Sequence, residues 1–204
     1  MNSLRNLFAG VALAVGVASA ANAALPVYPT PGTENPVIYS FTAAADGDIV
    51  AYFAGSTASY SEDLGLLIDG VDSGVEGLNN HTSFLGESLN FGHASAGQSL
   101  IFFTKIFSTG ATFFSDKSLN FDGINHVYAT AYAGGDFGIP KGTYVAFEDL
   151  TGGGDLNYHD ETFVFTNVKG GGGSVPEPTT WALMLVGFGG LGAMLRRSRK
   201  TVLA

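Results

Sequence analysis

The chain has 204 residues, of which 46% are apolar and 29 are glycine, and it contains no cysteine. That length accommodates one domain with a substantial core, and the apolar fraction excludes a disordered chain. The absence of cysteine excludes a disulfide framework and any site built on thiolates. The formal charge of −9 argues against nucleic acid as a partner, because nucleic-acid binding needs a basic face.

The N-terminus has the parts of a secretory signal peptide. Arg5 supplies the positive charge, a short run of small and apolar residues follows, and Ala21 and Ala23 stand in an A-x-A cleavage site. We predict that residues 1–23 form a signal helix, that signal peptidase removes it, and that the mature chain begins at Ala24. An uncleaved membrane anchor is the alternative, which the short apolar run disfavours.

The middle of the chain reads as one β-rich domain. Residues 24–36 contain four prolines and are predicted to form an extended lead-in. Residues 37–169 alternate short β-branched and aromatic runs with Gly-, Asn- and Asp-rich turns, which predicts an antiparallel β-sandwich or a jelly-roll-like domain. Residues 170–175 read as a Gly-rich linker. The predicted strands cover residues 37–43, 49–54, 64–68, 88–91, 99–108, 111–114, 119–121, 127–133, 144–148 and 161–168.

The charge of the exported part is more extreme than that of the whole chain. Residues 24–175 contain four lysines, no arginine and 17 acidic residues, which gives a formal charge of −13. Such a field repels polyanions and attracts cations. A solvated acidic surface and a divalent-cation site both fit this charge.

The densest polar cluster runs from residue 148 to residue 161 and contains five acidic side chains, one asparagine and three consecutive glycines. Oxygen atoms of Asp155, Asn157 and Asp160 can converge on one point from a curled loop, as a hard cation such as Ca²⁺ requires. Spacing alone leaves a calcium site and a solvated acidic turn equally open. Weaker candidates to complete such a site are Asp46, Asp48, Glu62, Asp63 and Asp69.

The stretch F-E-D-L-T-G-G-G-D-L-N-Y-H-D-E-T-F at residues 147–163 resembles the closing signature of a bacterial extracellular domain family of unknown function, F-E-D-L-x-G-G-G-D-x-D-Y-N-D-x-x-F. The resemblance implies a β-sandwich with a calcium site near its last strands, and it does not imply a catalytic activity. Asn157 replaces an acidic residue of the signature, which implies weaker cation binding. The implied ligands are Glu148, Asp149, Asp155, Asn157 and Asp160.

A second apolar segment, residues 181–195, lies near the C-terminus and is predicted to form a short hydrophobic helix. Its length falls short of the roughly 30 Å hydrocarbon core of a membrane. The segment follows Pro176, Glu177 and Pro178. It precedes a basic cluster that should stay in the cytoplasm, formed by Arg196, Arg197, Arg199 and Lys200.

This order of features at residues 176–200 resembles the PEP-CTERM sorting signal of Gram-negative bacteria. The resemblance implies that residues 181–195 anchor the chain transiently in the inner membrane, where an exosortase recognises and processes the tail. The passenger then reaches the cell surface, the exopolysaccharide layer of a biofilm, or the medium.

The sequence offers little support for an enzyme. No histidine has the spacing of a zinc-protease motif, and no nucleophile-elbow motif occurs. We expect each histidine to be a polar loop residue: His81, His93, His126 and His159.

Two main functions remain open. The first is a non-enzymatic, calcium-stabilised surface or matrix protein, with polysaccharide as a candidate partner. The second is a carbohydrate-binding module that would stack sugars on exposed Tyr60, Tyr132 or Tyr158. A secreted hydrolase is a third and less favoured interpretation, because it needs an open cleft with paired carboxylates.

Overall fold

The computed structural model describes residues 24–172, and these residues contain eleven β-strands and three short 3₁₀ turns. All strand pairs are antiparallel. The strands are β1 (Tyr39–Ala43), β2 (Gly47–Ser56), β3 (Glu62–Ile68), β4 (Val71–Gly77), β5 (Ser88–Ala94), β6 (Ser99–Ile106), β7 (Thr112–Phe114), β8 (Val127–Tyr132), β9 (Gly142–Phe147), β10 (Glu161–Thr166) and β11 (Val168–Gly172).

The strands form two sheets. One has the order β11-β1-β6-β3-β4, with β7 also paired to β6, and is called the β6 sheet below. The other has the order β5-β2-β10-β9-β8 and is called the β10 sheet. The predicted antiparallel sandwich is confirmed. The predicted signal helix and C-terminal hydrophobic helix lie outside the described residues.

The main hydrophobic core lies between the two sheets. Leu100 and Phe102 enter it from β6, and Phe163 and Phe165 enter it from β10. The rings of Phe102 and Phe165 stack across the gap with their centroids 3.9 Å apart. Each such buried side chain contributes about 1.5–3 kcal/mol of transfer free energy, so these alternating positions account for the pairing of the sheets.

A second apolar cluster covers the outer face of the β10 sheet. It contains Tyr28 from the lead-in, Tyr144 and Val164 from the sheet, and Tyr158 from the segment between β9 and β10. The lead-in is therefore packed against the domain. Both faces of β9 and β10 are covered, which explains why these two strands are almost continuously apolar.

Three parts of the domain differ from the prediction. Residues 119–121 do not form a strand, because a 3₁₀ turn occupies Lys117–Leu119 and Asp116 caps it by accepting a hydrogen bond from the Ser118 amide. β4 was not predicted, because most of its residues are polar or glycine and no apolar alternation is visible in its sequence. β11 continues through residues 170–172, which were assigned to the linker.

The glycines of β11 are compatible with a strand because neighbouring side chains occupy the space above them. Phe41 and Thr143 lie within 3.2 and 3.3 Å of the point where a Cβ on Gly170 would stand. Residues 170–172 pair with Phe41, Ser40 and Tyr39 of β1. Composition alone indicates a linker there, whereas the packed Phe41 ring favours a glycine strand.

Candidate functional site

Two glutamates occupy core-facing positions at the start of strands in opposite sheets. Glu62 is the first residue of β3 and shares a face with Leu64. Glu161 is the first residue of β10, shares a face with Phe163 and pairs with Phe147 of β9. Successive strand residues point to opposite faces, so alternation directs both carboxyl groups between the sheets. We call Glu62 and Glu161 the strand glutamates.

The strand glutamates are fully buried and have no compensating partner. Both are 0% exposed, and no oxygen of either carboxyl group accepts or donates a hydrogen bond within residues 24–172. Burial, with repulsion from Asp149 and Asp160, raises the pKa of Glu62 to about 9. Burial also raises the pKa of Glu161 well above its usual value, together with repulsion from Glu62, Asp63 and Asp149. An uncompensated buried carboxylate is strongly unfavourable.

The segment between β9 and β10, residues 148–160, is called the acidic loop. Two of its side chains, Asp149 and Asp160, are close enough to the strand glutamates to repel Glu62. Asp149 follows Phe147 at the next core-facing position, and Asp160 accepts a hydrogen bond from the Asp149 amide at 3.2 Å. Asp149 is 5% exposed, and burial followed by repulsion from Asp160 raises its pKa to about 6. One end of the core is therefore lined with carboxylates.

Glu148 points to the opposite side of β9. One of its oxygens accepts a hydrogen bond from the Tyr158 amide, while the other has no partner and lies beside Gly154. Burial is the largest contribution that raises the pKa of Glu148 to about 8, and Asp160 and Asp155 add repulsion. The hydrogen bond from the Tyr158 amide to Glu148 therefore stabilises the conformation of the acidic loop around Tyr158.

Asp155 and Asn157 lie at the rim of the acidic loop. The Asn157 amide nitrogen donates to Asp155 at 2.6 Å, and the Asn157 side-chain oxygen accepts from the His159 amide at 3.0 Å. Asp155 is exposed. These two side chains are engaged with the loop itself.

The structure gives the five predicted calcium ligands different partners. The Asp149 amide donates to Asp160, one Glu148 oxygen accepts from the Tyr158 amide, and Asn157 donates to Asp155 at the rim. In the part of the chain from residue 24 to residue 172, no group of three or more His, Asp or Glu side chains is arranged to hold a metal ion. Calcium binding stays a prediction.

A buried histidine fixes the acidic loop from the side. His126 is 0% exposed, and its ring stacks on Phe113 with centroids 3.7 Å apart. Its Nδ1 lies 2.9 Å from the Glu148 carbonyl oxygen, and its Nε2 lies 3.0 Å from Asp122. Asp122 also accepts from the Gly152 amide at 2.8 Å. His126 lies in the loop before β8, as predicted, but it is buried rather than exposed to solvent.

The three other histidines are exposed. His81 and His159 lie in loops, as predicted, whereas His93 lies in β5. The remaining candidate aspartates also have ordinary local roles. Three stand in or beside turns, accept hydrogen bonds from neighbouring segments and are exposed or half-buried: Asp46, Asp48 and Asp69. Asp63 is half-buried and accepts a hydrogen bond from Asn79.

Two of the three tyrosines proposed as a sugar platform are not available for stacking. Tyr132 and Tyr158 are 2% and 1% exposed, and both belong to the apolar cluster on the β10 sheet. Tyr60 is half-buried. A binding surface that depends on all three is therefore excluded.

The fold and the site define a two-sheet, all-β domain with buried carboxylates at one end. Residues 174–200, directly after that domain, match the PEP-CTERM protein-sorting motif. The chain therefore carries the sorting signal that the tail resembles, and the signal supports an exosortase substrate. No curated protein and no solved structure matches the chain.

The sorting motif implies export and transient membrane anchoring before processing. Its residues, the basic cluster and the predicted signal cleavage site all lie outside the described residues. No helix between residues 24 and 172 has the length and apolar character needed to cross a membrane. The predicted hydrophobic segment, residues 181–195, falls beyond that range.

Proposed function

We propose that this chain is a non-enzymatic protein of the cell surface or exopolysaccharide matrix. Signal peptidase exposes Ala24 during export, and exosortase processes the tail at the inner membrane. The observation that carries this proposal is the sorting motif at residues 174–200, placed directly after a folded domain.

The burial of the acidic groups supports a role without catalysis. A glycoside hydrolase needs two carboxyl groups that reach the substrate from an open cleft. Glu62, Glu148 and Glu161 are each 0% exposed, so none of them can contact a polymer. Their burial instead suits a structural role in the domain.

Calcium stabilisation is the second part of the proposal. The acidic loop offers candidate oxygen ligands at Glu148, Asp149, Asp155, Asn157 and Asp160, and one Glu148 oxygen is buried without a partner. Calcium supplies the positive charge that these groups lack. The residues fit a hard cation by chemistry, since all their side-chain ligands are oxygen atoms.

Association with polysaccharide is the function that we propose for the exported domain at its destination. The buried tyrosines argue against the alternative of a carbohydrate-binding module that grips sugars by stacking. Hydrogen bonds from exposed polar residues to a neutral polysaccharide need no aromatic platform, whereas the formal charge of −13 disfavours an acidic polysaccharide.

The proposal that exosortase processes the chain is tested by measuring removal of the C-terminal tail in a host that contains an exosortase. We expect the released protein to begin at Ala24 and to lack the basic cluster, as measured by intact-mass spectrometry. A variant with Pro176, Glu177 and Pro178 all changed to Ala should stay in the membrane fraction. Pro31→Ala, at an exposed position of the lead-in, is the matched control and should be released normally. Equal release of the triple variant and the wild type would contradict the proposal.

A further inference from the structure

We propose that a divalent cation of the calcium type binds inside the sandwich, between the strand glutamates, with Asp149 and Asp160 completing its ligands. This inference rests on the proposed cation binding near the acidic loop and assigns the ion to a different set of side chains. Glu161 was not among the predicted ligands, and Glu62 was only a weaker candidate.

The topology brings these four groups to one end of the core. Glu62 comes from the β6 sheet and Glu161 from the β10 sheet, and each is the first residue of its strand. Asp149 lies two residues after the end of β9, and Asp160 immediately precedes β10. The Asp160 carboxylate and the Asp149 amide are hydrogen-bonded, so the two ends of the acidic loop meet beside the strand glutamates.

The strand glutamates carry the observation that points to a ligand. All four of their carboxyl oxygens are buried without a hydrogen-bond partner within residues 24–172. Protonation does not remove the difficulty, because a carboxylic acid brings a donor that also needs a partner. A buried acidic group without a partner costs several kcal/mol in either form, and a cation among the oxygens removes that cost.

Basic side chains do not supply the missing charge. The described domain has no arginine, and two of its four lysines form surface pairs, Lys105 with Glu76 and Lys117 with Glu34. The charged groups that act on Glu62 are Asp149 and Asp160, both acidic. Substrate is also excluded as the partner, because groups that are 0% exposed admit only a small ion.

The ligand chemistry favours calcium over smaller or softer ions. Four carboxylates offer enough oxygen atoms for the roughly six to eight that calcium takes, and no imidazole or sulfur stands among them. Within residues 24–172 the four side chains are not arranged as a ready ligand set, so binding has to draw their carboxyl groups together. Asp160 is half-buried and is the most solvent-accessible of the four side chains. Binding would then link the two sheets through the core.

The test is calorimetric titration of Ca²⁺ into the chelator-stripped full chain. We expect Glu62→Gln and Glu161→Gln each to weaken calcium binding by at least about tenfold, since each removes one charged ligand. Asp155→Asn should change the affinity by less than about twofold, and Glu76→Gln, at a surface pair, is the matched control. Weakening by Asp155→Asn with no effect of the strand variants would overturn the inference and retain the loop site. Absence of calcium binding by the wild type would overturn both.

The glutamine variants also separate an ion site from a purely structural role. With EDTA, Glu62→Gln should unfold at about the same temperature as the wild type, because the protonated carboxyl group and the amide both lack partners in the core. With calcium, the wild type should unfold at the higher temperature, because only the carboxylate can ligate the ion. A variant that is less stable than the wild type by the same amount in both conditions would contradict the inference.

A measurement on the wild type alone covers the case in which the variants do not fold. We expect calcium to slow hydrogen exchange of the β3 amides after Glu62 and of the β10 amides after Glu161. Slowing confined to residues 148–160 would locate the ion in the loop and overturn the inference.

Discussion

At two strand positions a glutamate stands where alternation places an apolar side chain. Leu64 and Leu66 follow Glu62 on the core face of β3, and Phe163 and Phe165 follow Glu161 on β10. Core positions are among the places where natural sequences tolerate charge least. A departure from the pattern at two facing positions is typical of a functional site rather than of a folding error.

Position 65 requires glycine because a neighbouring side chain leaves no room for a Cβ atom, and not because of its backbone conformation. It pairs with Phe103, and a Cβ at position 65 would overlap the Phe103 ring. We predict that Gly65→Ala lowers the free energy of unfolding by about 1–3 kcal/mol, because the ring must leave its packed position. Urea unfolding measures this change.

The control for that prediction is the same substitution in a Phe103→Ala background. The cost of Gly65→Ala should largely disappear there, because the overlapping ring is gone. An unchanged cost in both backgrounds would show that the backbone, and not the Phe103 ring, requires glycine at this position.

A single carboxylate, Glu34, ties the lead-in to the domain. Its Oε1 atom accepts hydrogen bonds from Lys117 at 2.7 Å and from the Asn125 amide at 2.8 Å. The Lys117 hydrogen bond is the largest cause that holds the pKa of Glu34 below its usual value of 4.5. The stabilisation is therefore present above pH 4.5 and is lost as the pH falls through the lower pKa of the folded state.

We predict that Glu34→Gln lowers stability at pH 7 and that its difference from the wild type shrinks as the pH falls below about 4.5. The gap at pH 7 should stay under about 1 kcal/mol, because both side chains of the ion pair are about one-third exposed. Urea midpoints at several pH values measure the gap. A gap that widens on acidification would contradict the assignment.

The element whose packing was hardest to predict is the acidic loop. Its acidic residues and its three glycines are visible in the sequence, but its anchor is not. Asp122 lies far from the loop in sequence and holds it through Gly152 and through His126, which contacts the Glu148 carbonyl. Such contacts between distant segments leave no periodic signal.

We predict that Asp122→Ala destabilises the domain by about 2 kcal/mol, because His126 and the Gly152 amide lose their acceptor. The Gly152 amide should also exchange its hydrogen faster. Asp116→Ala, which removes only the cap of an exposed 3₁₀ turn, is the matched control and should cost less than about 1 kcal/mol. Equal costs for the two variants would show that Asp122 does not anchor the loop.

Among the strands, predictability follows the strength of the apolar pattern. β2 was predicted within a few residues from side chains that alternate between two faces, and β6 from a nearly continuous apolar run. β4 and β11 were missed because glycines and acidic residues hide the pattern, and pairing with a neighbour decides their structure. At the candidate site, the sequence predicted Asp149 and Asp160 as ligands, gave Glu62 only as a weaker candidate and did not indicate Glu161. Asp149 and Asp160 are close in sequence, whereas Glu62 and Glu161 meet only through the fold.

At the scale of the whole molecule, the acidic charge of the domain is consistent with its export. The sorting motif implies export, and the exported part has a formal charge of −13. Extracellular calcium modules bind their ion at about 10⁻⁴–10⁻³ M. We therefore expect the domain to gain part of its stability only after it has left the cytoplasm, when calcium fills the end of the sandwich.

Thermal unfolding of the full chain, in millimolar calcium and in EDTA, tests this account most directly. An ion that binds only the folded state must raise the midpoint, and we predict a rise of roughly 5–10 °C. The rise should be absent in a Glu62→Gln/Glu161→Gln double variant and present in Asp155→Asn. Identical midpoints of the wild type in calcium and in EDTA would contradict the account and leave the buried carboxylates without an ion.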